Sequence, residues 1–215
     1  MLKRATMRLA QFDQHIRGDR WRHLVRWGYQ AMAPVYDVGA RLLLPDYQLA
    51  AIELLERLQV RPDDRVLDLG CGTGMVTLPA AERAAWVAGL DMTPGMLRKL
   101  QRKATQGPER SPALIQGDAR YLPLTDEMFS VVTTSFMLVH LTAAEKLQVF
   151  NEVRRVLVPG GRLGCLTSQD SVGDAYPTTE EWRQWLRACG FHDITVEDLR
   201  DVYRLVLATC AGEET

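Results

Sequence analysis

The feature that most constrains this fold is a short apolar run ending in a turn with glycine at every second residue. The run 66–69 (Val-Leu-Asp-Leu) has the composition of a buried strand, and residues 75–85 are predicted to form a helix. Gly70, Gly72 and Gly74 lie between the two. Glycine permits positive φ and lets a ligand approach the main chain without a Cβ in the way. The stretch therefore predicts a strand-to-helix turn that can hold a small molecule.

The same order of strand and helix continues along the chain. Strands are predicted at 65–69, 85–90, 112–116, 129–134, 162–167, 191–197 and 202–209. Helices are predicted to begin at Asp46, Met75, Thr93-Pro94, Thr142 and Thr178, the last two with capping-box sequences. This alternation predicts an α/β protein with a doubly wound, seven-stranded, mostly parallel sheet. The short link between the final two strands predicts an antiparallel last strand.

Polar residues occur where the predicted strands end, which is the edge at which open α/β sheets bind ligands. Asp91 ends the second strand, and its carboxylate can accept hydrogen bonds from both hydroxyls of a ribose but does not favour a 2′-phosphate. Met92 can pack on an adenine face. Gly117-Asp118-Ala119 follows the third strand, and Ser135 follows the fourth. These ends predict a nucleotide-like ligand.

Five motifs follow one another along the chain: D-x-G-x-G-x-G at 68–74, Asp91 with T-P-G-M-L at 93–97, G-D-A at 117–119 with L-P-L at 122–124, F-S-V-V at 129–132 and L-V-P-G-G at 157–161. In this order they resemble the Rossmann-like S-adenosylmethionine-dependent methyltransferases, and within them the group of ubiquinone/menaquinone biosynthesis methyltransferases. The resemblance covers roughly residues 36 to 209. A standard dinucleotide turn needs a glycine where Met75 stands, which disfavours a nicotinamide-dependent oxidoreductase.

The resemblance implies S-adenosyl-L-methionine as the cofactor and S-adenosyl-L-homocysteine as the product. It implies that Asp68 holds the amino group of the methionine moiety, that Asp118 accepts from the adenine amino group, and that Ser135 flanks the methionine arm. The complete predicted cofactor site is Tyr36, Asp68, Gly70, Cys71, Gly72, Thr73, Gly74, Asp91, Met92, Met96, Gly117, Asp118, Ala119 and Ser135.

Two residues are candidates for catalysis. His140 follows the fourth strand and is a candidate base, although a histidine there is more often structural or pocket-lining. Tyr36 resembles a tyrosine near the start of the family's domain, with cofactor contact as the simpler role. The four cysteines are scattered without metal spacing, so we predict reduced structural cysteines and no metal site. Trp182 and Trp185, three residues apart, are predicted to pack in the core.

The N-terminal segment differs in charge from the rest of the chain. Residues 1–41 carry eight Lys or Arg against three Asp, a net charge of +5, whereas the remainder carries −6. We predict that residues 1–45 form a basic helical cap and that residues 46–215 form the S-adenosylmethionine-binding domain. The cap either packs over the cleft with solvated arginines or meets anionic lipid or a polyanionic substrate. Nucleic acid is disfavoured because the remainder is acidic.

The 215 residues are 47% apolar, contain no run long enough to span a bilayer and begin without a secretory signal, so we expect a cytoplasmic protein. The predicted function is methyl transfer to a small or lipid-like acceptor: a quinone precursor, a phospholipid headgroup or a secondary metabolite. The alternative is a catalytically silent S-adenosylmethionine-binding partner or sensor. The sequence indicates no oligomeric state.

Overall fold

A computed structural model describes residues 19–44, 46–107, 111–169, 176–200 and 202–212. Seven helices are defined in these ranges: α1 (Asp19–Met32), α2 (Tyr36–Leu43), α3 (Tyr47–Arg57), α4 (Thr77–Ala81), α5 (Pro94–Ala104), α6 (Ala143–Val156) and α7 (Thr179–Ala188). The strands are β1 (Arg65–Leu69), β2 (Trp86–Asp91), β3 (Ala113–Gln116), β4 (Phe129–Ser135), β5 (Leu157–Ser168), β6 (Phe191–Leu199) and β7 (Tyr203–Cys210). A short 3-10 helix spans Leu138–His140.

The strands form one seven-stranded sheet in the order β3-β2-β1-β4-β5-β7-β6. The pairs from β3 to β5 are parallel, whereas β7 is antiparallel to both β5 and β6. The predicted fold class, with its antiparallel last strand, is confirmed. Strand order reverses beside β1 and β4, so the crevice at their carboxyl ends is the expected ligand position in an open sheet.

Side chains alternate along β1 between the two faces of the sheet. Leu67 and Leu69 pack in a cluster with α6 and α7, and Val66 packs in a second cluster with α3 and α4. Trp182 is 1% exposed within the first cluster, and Trp185 packs against it, which confirms their predicted core role. The sheet is therefore covered by helices on both faces, which fixes the positions of its strand ends.

Both predicted capping boxes are present. Thr142 Oγ1 accepts from the Glu145 N–H, and the Glu145 carboxylate accepts from the Thr142 N–H; Thr178 and Glu181 make the same reciprocal pair. Asp46 occupies the N-cap position of α3, but it has a φ of 60° and its side chain makes no capping bond. The helix therefore begins where the sequence predicts, but the left-handed backbone of Asp46 leads the chain into it without a hydrogen bond from the Asp46 side chain.

Two predicted elements have different bounds in the structure. The helix predicted over 75–85 is confined to Thr77–Ala81, because the glycine turn extends through residue 76. The strand predicted at 162–167 begins instead at Leu157 and continues through Pro159-Gly160-Gly161, with an irregular register against β4. Gly160 has a φ of +75°, which lets the chain bend without leaving the sheet.

Part of the predicted cap lies within the described residues, as α1 and α2, which are separated near Pro34. Residues 1–18, the boundary residue Pro45 and most of the 168–177 connection lie outside them. In the part of the chain that the structure describes, no helix is long and apolar enough to cross a membrane.

Candidate functional site

A cavity lies at the carboxyl ends of the parallel strands, between the sheet edge and the first two helices. The strand ends and the loops after them supply most of its wall, and Val25, Arg26 and Tyr29 of α1 with Tyr36 of α2 close one side. The strand-end and loop residues on the wall are Gly70, Gly72, Leu90, Asp91, Met92, Thr93, Met96, Gly117, Asp118, Ala119, Ser135, Phe136, Met137, His140 and Leu141.

The glycine turn has the conformation that the sequence predicts. Gly70, Gly72 and Gly74 have φ values of 68°, 52° and 93°. The N–H groups of Gly70 and Cys71 donate to the Leu90 carbonyl at 2.8 and 3.0 Å, which ties the turn to β2. A Cβ on Gly74 would meet Leu100 at 2.4 Å, so this glycine allows the turn to pack closely on α5. Gly70 and Gly72 face the cavity instead.

Asp91 links the glycine turn to the end of β2. Its Oδ2 accepts from the Gly72 N–H at 2.9 Å, and its Oδ1 accepts from the Thr93 N–H at 2.7 Å. Burial raises the pKa of this carboxyl above its ordinary value, against the effect of these backbone hydrogen bonds. A carboxylate has about four acceptor positions, so Asp91 retains capacity for hydroxyl groups of a ligand.

The carboxylate of Asp118 is held by an arginine that the sequence analysis did not single out. Arg120 Nη2 lies 2.6 Å from Asp118 Oδ2, and Arg120 Nη1 lies 2.9 Å from Glu145 Oε1. The hydrogen bonds that Arg120 donates to the Asp118 carboxylate are the main cause of the raised pKa of the Arg120 guanidinium. Because Glu145 also caps α6, the Asp118 loop is fastened to that helix. The planar guanidinium fixes the orientation of the Asp118 carboxylate.

Three rings meet on the side of the cavity formed by the first helices. Tyr29 Oη lies 2.9 Å from His140 Nε2, and the two rings are in edge contact with centroids 5.4 Å apart. The Tyr36 ring lies 6.0 Å from that of Tyr29. Burial, with the nearby charges of Asp91 and Asp37, raises the pKa of Tyr36 above 10.0. The Tyr36 phenol is therefore neutral near pH 7 and can donate a hydrogen bond into the cavity.

Asp68 lies behind the cavity wall. It is 2% exposed, and its two oxygens accept from Thr77 Oγ1 at 2.6 Å and Thr133 Oγ1 at 2.9 Å. Burial raises the Asp68 pKa to about 6, although both threonine hydrogen bonds oppose the shift. In this arrangement the carboxylate joins β1 to β4 and α4.

An acidic and basic cluster joins α2 to α5 and to the glycine turn. Asp37 Oδ1 accepts from Thr73 Oγ1 at 2.6 Å, while Asp37 Oδ2 lies 3.2 Å from Lys99 Nζ and 2.9 Å from Lys103 Nζ. Lys103 also donates to the Thr73 carbonyl, at 2.9 Å. Beside this cluster, Gln30 Oε1 accepts from the Gly95 N–H at 2.8 Å. The first helices are thus fastened next to the cavity.

Ser135 shares a hydrogen bond with the phenol of a buried tyrosine. Its Oγ lies 2.8 Å from Tyr47 Oη, and Tyr47 makes ring contacts with Phe136 and Tyr203. Burial raises the pKa of the Tyr47 phenol. Phe136 has a φ of 55°, an uncommon conformation for a bulky side chain that lies at the end of β4. This strained turn brings Phe136 and Met137 onto the cavity wall.

The structure brings together most of the residues predicted for the site. On the cavity wall lie Tyr36, Gly70, Gly72, Asp91, Met92, Met96, Gly117, Asp118, Ala119, Ser135 and His140. Asp68, Cys71, Thr73 and Gly74 are not part of the wall. The four cysteines are free and buried, and within the described ranges no cluster of three His, Cys, Asp or Glu side chains could hold a metal ion.

Sequence reasoning missed Tyr29 and Arg26, which close the cavity from α1. The available pattern was the four-residue spacing of Val25 and Tyr29, which puts both on one helix face. The sequence does not indicate this helix face, because arginine and apolar residues alternate in the rest of the segment without a regular helical spacing.

Residues 66–161 match the family described as a methyltransferase domain. This match includes the glycine turn and the ends of β2, β3 and β4. This part of the chain therefore has the sequence of a methyltransferase domain.

Among curated proteins, the chain is similar to several demethylmenaquinone methyltransferases. That of Lactobacillus johnsonii is 39% identical over 147 residues, covering 66% of this chain and 59% of the relative. That of Lactiplantibacillus plantarum is 35% identical over 157 residues, covering 70% of this chain and 65% of the relative. The chain thus spans less than two thirds of the length of these relatives.

Solved structures share the methyltransferase fold at low sequence identity. The [4+2]-cyclase SpnF has a TM-score of 0.69 at 20% identity, covering 77% of this chain and 82% of that chain. Magnesium protoporphyrin IX methyltransferase from Synechocystis PCC 6803, solved with bound S-adenosylhomocysteine, has a TM-score of 0.62 at 19% identity, covering 76% of this chain and 83% of that chain. These likenesses support the fold, and the fold hosts more than one reaction.

Proposed function

We propose that this protein binds S-adenosyl-L-methionine and transfers its methyl group to a quinone of the demethylmenaquinone type. The proposal is supported mainly by one observation: Gly70, Gly72, Asp91 and Asp118 line the same cavity at the crevice of the sheet. The similarity to demethylmenaquinone methyltransferases supports the acceptor class, and the S-adenosylhomocysteine bound to the magnesium protoporphyrin IX methyltransferase supports the cofactor.

The residues present fit this cofactor by their chemistry. Asp91 offers acceptors for ribose hydroxyls, and Met92 and Met96 give apolar surface for a purine. A Cβ on Gly72 would have only the Gly70 carbonyl within 4 Å, at 3.9 Å, so the main chain borders open space there. Asp118 and the Ala119 N–H would face the adenine edge, and Ser135 would lie near the methionine arm. The cofactor supplies a methyl group already activated on a sulfonium.

The first helices would cover the acceptor. Val25 and Tyr29 give the cavity an apolar and aromatic side, which suits a flat quinone ring. We propose that the described part of the N-terminal segment, α1 and α2, acts as the cap over this half of the site. Holding the acceptor in line with the methyl group would supply much of the acceleration through proximity and orientation.

His140 and Tyr29 would receive the proton that the acceptor loses when its new bond to the methyl carbon forms. The Tyr29 oxygen and His140 Nε2 share one hydrogen bond, so a proton taken by one can be passed to the other. Tyr36, with its raised pKa, is unsuited to act as a base and would donate a hydrogen bond to the cofactor or acceptor. This division gives His140 the catalytic role and Tyr36 a binding role.

The test is release of S-adenosylhomocysteine with a demethylated naphthoquinone in reduced form. The wild-type protein should turn over, and His140→Gln should lower kcat by about 10²- to 10⁴-fold, as expected for losing a general base. Tyr29→Phe keeps its ring contact with Tyr36 but removes the shared hydrogen bond, so it should lower kcat and shift its pH profile. Tyr121→Phe, outside the cavity wall, is the matched control and should retain wild-type kcat.

Two results would count against the proposal. Cofactor binding without turnover on any quinone would favour the silent partner or sensor. Unchanged kcat in both His140→Gln and Tyr29→Phe would remove the proton-accepting pair while leaving the methyl-transfer proposal intact.

A further inference from the structure

Exposed apolar side chains are concentrated on the outer surface of α1 and α2. Of the nine large hydrophobic residues exposed in the described ranges, seven lie between residues 24 and 43. We call these seven the apolar face: Leu24, Trp27, Met32, Val35, Val38, Leu42 and Leu43. Trp27 is 70% exposed and Leu42 is 76% exposed. A concentration of this kind is typical of an interaction site, because single exposed hydrophobic residues are ordinarily scattered.

The apolar face is the side of the two helices directed away from the cavity. Val25 and Tyr29 of α1 line the cavity, whereas Leu24 and Trp27 are exposed. In α2, the spacing of Val38 and Leu42 places them on one side of the helix, and both are exposed. These two helices thus have one side on the cavity and a second, apolar side that is exposed to solvent.

Arginine residues occur in the same segment of the chain as the apolar face. The segment 19–44 contains four arginines and two aspartates, and one of these, Asp37, is paired with Lys99 and Lys103. Beside Trp27 lies a shallow groove whose charged and titratable lining is His23, Arg26 and Arg98. Two guanidinium groups next to an exposed indole match the phosphate and glycerol region of an anionic phospholipid.

We propose that the apolar face docks this protein on an anionic phospholipid bilayer, with the groove between α1 and α5 receiving a lipid phosphate. Trp27 and the aliphatic residues would enter the interfacial region, and the arginines would lie against the headgroups. The charge selects this occupant over a second copy of the chain, because two such faces would bring their arginines together. The docking stands independently of the proposed reaction.

Arg26 connects the docking surface to the candidate active site, since it lines both the groove and the cavity. A chain docked through the apolar face would therefore hold the α1 side of its cavity next to the bilayer. The docked arrangement would let a lipid-like acceptor pass from the bilayer to the cavity without crossing water. This last step rests on the proposed function.

The experiment is sedimentation of the full chain with vesicles of phosphatidylcholine alone or mixed with phosphatidylglycerol. The chain should sediment with the mixed vesicles at about 0.1 M salt and be released at about 1 M, where charges are screened within roughly 3 Å. The double variant Trp27→Ser/Leu42→Ser should weaken partition at least tenfold. Arg41→Gln, which changes the residue next to Leu42 in α2, and Arg98→Gln, in the groove, should each weaken partition about fivefold.

Tyr121→Ser is the matched control, because Tyr121 is 64% exposed but lies outside the apolar face. It should partition like the wild type, and all variants should bind S-adenosylhomocysteine equally, which shows that they are folded. Failure of the full chain to sediment with mixed vesicles overturns the docking, as does equal partition of the double variant. A dimer that the double variant converts to monomer would assign the face to a second copy. Absence of S-adenosylhomocysteine binding in the wild type would instead count against the proposed function.

Discussion

Asp68 is almost completely buried, and its carboxylate accepts hydrogen bonds from two neighbouring hydroxyl groups. Its folded-state pKa of about 6 lies above the ordinary 3.8, so the folded protein binds this proton more tightly than the unfolded chain. The contribution of Asp68 to the free energy of unfolding therefore falls as the pH rises from 3.8 to about 6. At pH 7 the ionised form depends on the hydrogen bonds from Thr77 and Thr133.

Thr77→Val removes one of these donors with little change of shape. We expect it to lower the free energy of unfolding at pH 7 by about 1.5–3 kcal/mol, the usual loss for a hydrogen bond to a charged group. The loss should shrink at pH 5, where the folded-state Asp68 is mostly protonated. Urea denaturation at the two pH values measures both effects.

Thr134→Val is the matched control for that substitution. Thr134 lies one residue beyond Thr133 on β4, and its buried Oγ1 has no hydrogen-bond partner among the described residues. Its loss should leave stability unchanged or raise it by about 1 kcal/mol, because an unsatisfied hydroxyl is removed from the core. Equal destabilisation by the two valine substitutions would mean that packing, not the hydrogen bond to Asp68, determines the effect.

At the scale of elements, the Asp37 cluster fastens α2 beside the cavity. Asp37→Asn removes the charge that Lys99 and Lys103 share, and Thr73 loses a carboxylate acceptor. We expect hydrogen exchange in residues 19–44 to quicken by about tenfold, the equivalent of about 1.4 kcal/mol, while exchange in β1 and β4 stays unchanged. Mass-spectrometric exchange measured by segment tests this expectation.

The pH dependence of this cluster follows from the Asp37 pKa. Burial raises that pKa, but the hydrogen bonds and charges of Thr73, Lys103 and Lys99 outweigh burial and hold it below 3.8. The stabilisation is therefore complete above 3.8 and is lost as the pH falls through the folded-state value. Glu197→Gln, which breaks the exposed pair with Arg57, is the control and should change exchange little. Faster exchange throughout the sheet in Asp37→Asn would contradict a local role.

The sequence predicts elements well where one local rule decides them. The capping boxes at Thr142 and Thr178 are correct because both partners lie within four residues. The glycine turn is correct because its φ values follow from residue type. The helix after Gly74 is shorter than predicted because the glycine turn extends through residue 76. β5 is longer than predicted because its first residue pairs with Phe129 of β4, which is distant in sequence.

The same distinction applies to the candidate site. Asp91, Asp118 and His140 can be predicted from the sequence because strand ends converge at one edge of a parallel sheet. The Tyr29–His140 bond and the Arg120–Glu145 pair join residues 111 and 25 positions apart, and no spacing rule predicts such partners. Asp68 occupies the predicted position in the turn, yet its burial among Thr77 and Thr133 follows from the packing of β4 and α4.

At the scale of the whole molecule, the fold restricts which ligands can bind more than it restricts which reaction can take place. The sheet order, the reversal beside β1 and the glycine turn place one cavity at the crevice. A cyclase shares this architecture, so the acceptor side of the cavity must decide the chemistry. We propose that this side is formed by α1 and α2, which line the cavity with one face and expose apolar side chains on another.

We propose that Asp91 holds S-adenosylmethionine in this cavity, and calorimetric titration with S-adenosylhomocysteine and with NADH measures that binding. The wild-type protein should bind S-adenosylhomocysteine at one site per chain and should not bind NADH. Asp91→Ala should weaken the affinity about 5- to 150-fold, the equivalent of about 1–3 kcal/mol. Binding of NADH in place of S-adenosylhomocysteine, or unchanged affinity in a folded Asp91→Ala protein, would contradict the account.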